Sequence, residues 1–231
     1  MRFYVDFAEA KNEITRDLAE LGVDVQPETM QDIYVADRPE FSTKELQNYA
    51  YTVSNPDYVL IEGAHWDWVK QEWEDRLLGG LNPGHAWKQR PEVWEQFIEG
   101  RGRGDKRWEK FAYTYSERMG GPHIEKVVDE LREHPHSRQL WVPVWYPNDE
   151  NRRGERRVPC SLGYWFVHRG GQLNVTYVMR SCDFATHWAN DVALASLLLH
   201  HIAQRAELEV GSLTQFIGSF HVYAKDVASV F

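Results

Sequence analysis

Val158-Pro159-Cys160-Ser161-Leu162-Gly163-Tyr164-Trp165-Phe166-Val167-His168-Arg169-Gly170-Gly171-Gln172-Leu173-Asn174-Val175-Thr176-Tyr177-Val178-Met179-Arg180-Ser181-Cys182-Asp183 is the stretch on which the fold turns. Two runs rich in aromatic and β-branched residues flank a Gly-Gly pair, which is the pattern of a β-hairpin. One strand opens with a thiol just after a proline. The other ends in an arginine, a serine and an aspartate within four positions. Such a hairpin carries a thiol and an anion-binding cluster on one structural unit.

Upstream of the hairpin, residues 2–7 read as a short strand and about 8–21 as an amphipathic helix stopped by Gly22. A polar loop runs to about Pro39. Residues 42–53 alternate as a strand, and 58–78 show apolar residues at three- and four-residue spacing, a helix closed by Gly79-Gly80. The Trp- and Gly-rich segment 84–121 contains the exposed-loop pattern of residues 101–106. A helix at 124–134, a strand at 140–146 and a charged turn at 147–157 lead into the hairpin. Beyond it, Val192, Ala195, Leu199 and Ile202 share one face of a long helix ending near Glu207. A last strand, 215–223, puts His221 and Tyr223 on the same face, because strand side chains alternate. Strands and helices mix without βαβ alternation, so the expected class is α+β in a single domain, 1–231.

The 231 residues carry a formal net charge of -9, which argues against a broad nucleic-acid or anionic-membrane surface but allows a local basic pocket for a phosphate. Cys160 and Cys182 are too few for a disulfide framework. No apolar run approaches the roughly 20 residues that span a bilayer, and the N-terminus lacks the long apolar region of a signal peptide. The expectation is a cytoplasmic protein.

Taken singly, each candidate has a plain alternative. Cys160 is either a nucleophile or a small buried hydrophobe. Arg180 with Ser181 either holds a phosphate or pairs with Asp183 at a strand end. Asn190 and Asp191 read equally as helix N-caps. Glu72 reads as a solvated surface charge, and His221 as structural.

The order and spacing of these residues together resemble the thymidylate synthase superfamily, which includes the nucleotide hydroxymethylases. The resemblance rests on Pro159-Cys160, Arg180-Ser181-Cys182-Asp183, Ala203-Gln204, Leu208-Glu209-Val210-Gly211 and His221-Val222-Tyr223. Further upstream, Glu72, Gly79, Asn82 and Trp94 match the family's spacing of glutamate, glycine, asparagine and tryptophan. Tyr115-Ser116 and Ser137-Arg138 look like its Tyr-Gly and Ser-Arg, and Arg38 like its first phosphate arginine.

The resemblance implies a mixed sheet packed with helices and a sheet-mediated homodimer. It implies Cys160 as the nucleophile, activated by nearby arginines, and Glu72 as the residue that manages protons. Arg38, Arg180, Ser181 and a partner subunit's arginine at position 138 would hold the 5′-phosphate. His221 and Tyr223 would bind the sugar, Tyr115 and Asp183 would contact the substrate, and Trp94 and Asp183 would contact the co-substrate. That co-substrate is 5,10-methylenetetrahydrofolate. The partners implied are a nucleotide and a folate, with no metal, nucleic acid or membrane.

One position departs from the thymidylate synthases. They carry an asparagine eleven residues after the Arg of Arg-Ser, and position 191 here is Asp. Ala203-Gln204 keeps the family spacing, which argues against a gap that would bring Asn190 there. A carboxyl that accepts from N4 and donates a proton to N3 fits cytosine, so Asp191 belongs with the catalytic set and the substrate reads as dCMP or CMP. Ser161 replaces the usual His, and the chain ends eight residues past Tyr223 (231 − 223 = 8). The expectation is a more open site, water addition and a 5-hydroxymethyl product. The alternatives are a divergent thymidylate synthase, a cytidylate methylase, or a nucleotide-binding homologue without catalysis.

Overall fold

The structure, a computed structural model, describes residues 1–30, 33–98, 109–149 and 157–231. The loop expected at 101–106, and most of the turn expected at 147–157, lie outside the described residues.

The hairpin is present as read. Strands β7 (Ser161–Arg169) and β8 (Gln172–Asp183) pair antiparallel, and Arg169 sits opposite Gln172 across the Gly170-Gly171 turn. Both turn glycines have positive φ, 61° and 83°, the conformation a two-residue hairpin loop needs. Cys160 lies one residue before β7 rather than inside it. The register shifts between Ser161 and Gly163, a bulge that kinks the strand where the thiol emerges. Gly163 permits the bulge: a Cβ there would lie 2.4 Å from Trp141 Cζ2 and 2.7 Å from the Val142 carbonyl oxygen.

The other strands are β1 (Arg2–Tyr4), β2 (Val23–Val25), the separate β3 (Thr29–Met30) and β4 (Ile33–Tyr34) pair, β5 (Thr43–Val53), β6 (Leu140–Pro143) and β9 (Glu209–Tyr223). The main sheet runs β1-β5-β9-β8-β7-β6, with β2 also paired to β5. It is mixed: β8 and β9 are parallel, as are β1 and β5, while the other pairs are antiparallel. The helices are α1 (Phe7–Leu21), α2 (Trp66–Leu78), α3 (Pro91–Trp94), α4 (Tyr115–Met119), α5 (Gly121–Glu133), α6 (Trp188–Arg205) and α7 (Val227–Val230).

Four boundaries differ from expectation. Helix α2 begins at Trp66, because Gly63 takes φ 86° and the segment before it forms only a 3₁₀ turn at Tyr58–Leu60. The loop after Gly22 contains β2, a strand too short to show alternation. Strand β6 ends at Pro143, after which Val144 N and Trp145 N both donate to the Leu162 carbonyl. Strand β9 starts at Glu209, six residues before the expected Gln215, because its first half pairs with β8.

One sheet face meets the helices. Leu173, Val175, Tyr177 and Met179 of β8, and Leu213, Gln215 and Ile217 of β9, are buried there against α6. Helix α6 is enclosed by α2, α5, β8 and β9, so it is the long buried helix expected, covered on most of its sides. Each fully buried Leu or Ile, such as Leu198, Leu199 and Ile202, contributes roughly 1.5–3 kcal/mol. The opposite face carries a row set by strand register, Trp141–Trp165–Thr176–Thr214–Thr52, with Phe216 beside it. Trp141, Trp165 and Phe216 remain exposed. Among the described residues, no helix is long and apolar enough to cross a membrane.

Candidate active site

A cavity of about 420 Å³ opens between α2, the start of α6, and the ends of β8 and β9. Its wall contains Glu72, Trp94, Tyr115, Cys160, Ser181, Asp183, Asp191, His221 and Tyr223, residues drawn from across 150 positions of sequence (223 − 72 = 151). Glu72 comes from the middle of α2. Its side chain is 18 % exposed and accepts from Arg76 Nε at 2.8 Å, one turn along the helix, so it is not a surface charge. Burial pushes its carboxyl up, against the opposing pull of Arg76.

Cys160 is half-buried at the end of the hairpin. Ser181 Oγ lies 3.7 Å and Arg180 Nη2 3.8 Å from its sulfur. Arg180 does not pair with Asp183. Its Nε donates to the Pro159 carbonyl at 2.8 Å and its Nη2 to the Val158 carbonyl at 3.1 Å, which ties the cysteine-bearing turn to β8. Asp183 Oδ1 instead accepts from Ala185 N and Thr186 N, forming the turn that launches α6.

The capping alternative for Asn190 and Asp191 also fails, since α6 begins at Trp188 and both residues sit inside its first turn. Asn190 is buried, accepts from His65 N at 2.8 Å and donates to the Thr186 carbonyl at 3.2 Å. It does not line the cavity. Asp191 does, and its Oδ2 accepts from the Cys182 thiol at 3.7 Å. Part of Asp191 stays open to the cavity, yet its carboxyl is packed about by protein. Burial pushes it up to about 7, against the opposing charge of Arg76. Burial also pushes the Cys182 thiol well up, with Asp191 adding to the effect.

His221 Nδ1 sits 3.2 Å from Ser219 Oγ, which donates to Glu45 Oε2, and the His221 and Tyr223 rings meet edge-on at 5.1 Å. Burial lowers the His221 imidazole and raises the Tyr223 phenol. Tyr115 Oη accepts from Ser161 N at 3.2 Å. Asn82 bridges Phe111 N and Glu117, holding one edge of the cavity together.

Three predicted arginines stand apart from the wall. Arg38 is exposed, paired to Glu40 at 3.0 Å and stacked over Phe41, a ring that does line the cavity. Arg138 is exposed, and its carbonyl accepts from Trp165 Nε1 at 3.1 Å, on the outer sheet face. Arg180 approaches through the turn it holds.

Trp94 was expected in the wall, and the residues around it were not. Trp68 and Trp94 stack at 6.0 Å and 6°, with Phe97, Phe111 and Tyr113 around them. Arg157 lies over Trp94 at 5.0 Å, Phe97 at 4.5 Å and Tyr113 at 5.4 Å. His187 lies beside Trp94 and is lowered to about 4 by burial. Arg76 had one signal available, its place four residues after Glu72. Within the aromatic wall only Trp94 had a signal, the motif spacing from Glu72; the others had none, because they come from separate elements.

A family model described as thymidylate synthase matches residues 41–230. The chain is 32 % identical over 175 residues to "Putative thymidylate synthase" of Methanosarcina acetivorans, covering 73 % of this chain and 72 % of that protein. It is 31 % identical over 202 residues to "Thymidylate synthase" of Haloferax volcanii, covering 80 % of this chain and 55 % of that protein.

Proposed function

Because this chain belongs to the thymidylate synthase family, whose members carry out folate-dependent modification of nucleotides, we propose that it converts dCMP or CMP to the 5-hydroxymethyl nucleotide. The observation that carries the reading is Asp191, a carboxyl in the cavity wall that burial raises to about 7, so that a substantial fraction is protonated near neutral pH. In its protonated form it donates to a ring nitrogen and accepts from an amino group, which complements N3 and N4 of cytosine. Uracil presents the opposite pattern at both atoms, and mismatched buried polar groups discriminate strongly.

The roles of the remaining residues follow from chemical need. The Cys160 thiolate adds to C6, and the pyrimidine C5 becomes nucleophilic. C5 bonds to the one-carbon unit and loses its proton to water, with Glu72 handling protons at the ring. Cleavage of the bond between that carbon and the folate nitrogen releases tetrahydrofolate and leaves an exocyclic methylene at C5. Water adds to it, and expulsion of Cys160 from C6 restores the aromatic ring. Overall, nucleotide, methylenetetrahydrofolate and water give 5-hydroxymethyl nucleotide and tetrahydrofolate. Glu72, Arg76 and Asp191 form a polar floor suited to holding water, whereas hydride delivery favours a dry site.

The stacked Trp68–Trp94 wall suits a flat heterocycle, and the Nε1 atoms of Trp87 and Trp94 are buried with no hydrogen-bond partner among the described residues. Methylenetetrahydrofolate is the co-substrate this wall fits, and it supplies the one-carbon unit. Ser181 and Arg180 take the phosphate, joined by Arg38 and by an Arg138 contributed across a homodimer formed on the exposed Trp141–Trp165–Phe216 face. His221 and Tyr223 bind the sugar.

The test is tritium release from 5-³H-labelled dCMP, CMP and dUMP with methylenetetrahydrofolate, followed by product analysis. Release from a cytosine nucleotide with a 5-hydroxymethyl product is expected. A 5-methyl product with dihydrofolate overturns hydroxymethylation, and release from dUMP alone overturns the cytosine assignment.

A further inference from the structure

We infer that Arg76 is a positioning residue that divides a proton between two facing carboxyl groups, holding Glu72 as the anion and leaving Asp191 as the acid. The inference deepens the proposed reading of Asp191 and rests on it.

Helices α2 and α6 pack together and bring one carboxyl each to the cavity. The guanidinium makes a direct bond to only one of them, Nε to Glu72 Oε1 at 2.8 Å. The Asp191 carboxyl has a thiol for a hydrogen-bond partner instead, Cys182 Sγ at 3.7 Å. Two carboxyl groups in one poorly solvated site do not both ionise readily, and the member bonded to a fixed cation keeps the charge. Arg76 is that cation. Its residue is 3 % exposed, it is fully charged at any working pH, and the Tyr115 ring packs at 5.1 Å from Cζ.

The charged and titratable groups around the pair are few. Facing Arg76 are Glu72 of its own helix, Tyr164 of β7, Tyr177 of β8 and Asp191 of α6. Facing Asp191 are Arg76, Glu72, Cys182 and Asp183, with the phenols of Tyr51, Tyr164 and Tyr177. Asp75 of the same helix, which raises it, and Arg157, which lowers it, also act on Glu72. Burial raises both carboxyls, and only Glu72 has a direct guanidinium bond to oppose the rise.

A second feature separates this arginine from an ordinary structural ion pair. Its Nη1 is buried with no hydrogen-bond partner among the described residues. A purely structural arginine so enclosed would have its donors satisfied. Here the guanidinium is enclosed with one donor unmet, and the carboxyl it bonds directly is that of Glu72.

Division of the proton serves both proposed roles. An ionised Glu72 can accept protons during turnover. A neutral Asp191 offers the donor that cytosine N3 requires, whereas an ionised one would set a lone pair against a lone pair.

The experiment is the pH dependence of tritium release by Arg76→Met and Arg76→Lys, read with whichever pyrimidine nucleotide the wild type labels fastest. Without the guanidinium, Glu72 takes up protons at higher pH. The acid limb of kcat/KM then moves up by about one pH unit or more, a roughly tenfold greater loss on the acid side than on the alkaline side. Lysine restores part of the shift. An equal loss at every pH overturns the inference, because that is what a merely structural role produces. Should Arg76→Met fail to fold, ¹³C carboxyl titration of the ligand-free protein decides. A transition near pH 7 is expected in the wild type, displaced to lower pH in Glu72→Gln because the neighbouring anion is gone, and absent in Asp191→Asn. Its loss in Glu72→Gln and survival in Asp191→Asn overturns the inference. Failure of the cytosine reading registers separately, as preference for dUMP in the wild type.

Discussion

The Cys182 thiol donates to Asp191 Oδ2 across 3.7 Å, joining the end of β8 to the first turn of α6. Ser181 and Asp183, the neighbours of Cys182, line the same cavity as Asp191. The proposed base-reading and phosphate-reading groups are therefore set by one strand-to-helix junction.

Replacing Asp191 with Asn keeps the shape and removes the titration. A fixed amide matches uracil's N3–H and O4, so the ratio of dCMP to dUMP turnover is expected to fall by about 10²–10⁴-fold. Competition between the two nucleotides in a single tritium-release assay measures it, and an unchanged ratio rules out Asp191 as the base reader.

Asp191 also shapes stability. An unfolded aspartate titrates near 3.9, whereas the folded group is raised to about 7 by burial. Below roughly pH 4 both states hold the proton and nothing is lost. Between about pH 4 and 7 the unfolded chain releases its proton while the folded one keeps it, so stability falls as pH rises and levels off above 7. The full difference is at most about 4 kcal/mol, and less to the extent that cavity water reaches the carboxyl. Denaturant melts of Asp191→Asn across this window should show a stability gain over wild type that grows with pH.

Cys160→Ala should abolish tritium release, a loss on the order of 10³-fold or more, with little change in melting temperature. The side chain is half-buried and packs only against the edge of the core, whereas Cys182 lies inside it. Retained release would remove Cys160 from the chemistry.

The proposed homodimer has a direct test. Arg138→Ala and Cys160→Ala are each expected to be inactive alone. Mixed after denaturation and refolding, random pairing gives about a quarter of the wild-type sites, because a hybrid dimer regenerates one intact site. No recovery on mixing means that Arg138 does not act across subunits.

Ser161 stands where thymidylate synthases carry His, and its Oγ meets Tyr177 Oη at 2.5 Å in a fully buried contact. Ser161→Ala leaves the phenol without this partner and should cost about 1–3 kcal/mol in urea unfolding. Adding Tyr177→Phe should recover part of it.

The hairpin was legible because its two runs alternate and its turn needs positive φ, both local properties. Cys160, Glu72, Asp191, His221 and Tyr223 were found together because motif spacing outlasts changes in the surrounding residues, and one cavity gathers all five. The first half of β9 was hidden. Gly211 gives no alternation signal, yet it lets Asn174 Oδ1 approach closely and accept from Ser212 N and Oγ at 2.8 Å each. That contact exists only once β8 and β9 lie side by side. Arg76 was hidden for a similar reason. On the helix it looks like a surface partner for Glu72, and only the packing of α2 on α6 encloses it.

Gly163 reverses the usual expectation of which positions tolerate change. The proposed nucleophile three residues before it, half-buried at the edge of the core, can be swapped for a smaller group with little expected cost to folding. Any side chain at Gly163 would collide with the Trp141 ring and the Val142 carbonyl and push β6 off β7. In a library of single substitutions selected for folded protein alone, position 160 should therefore come back varied and position 163 nearly always glycine.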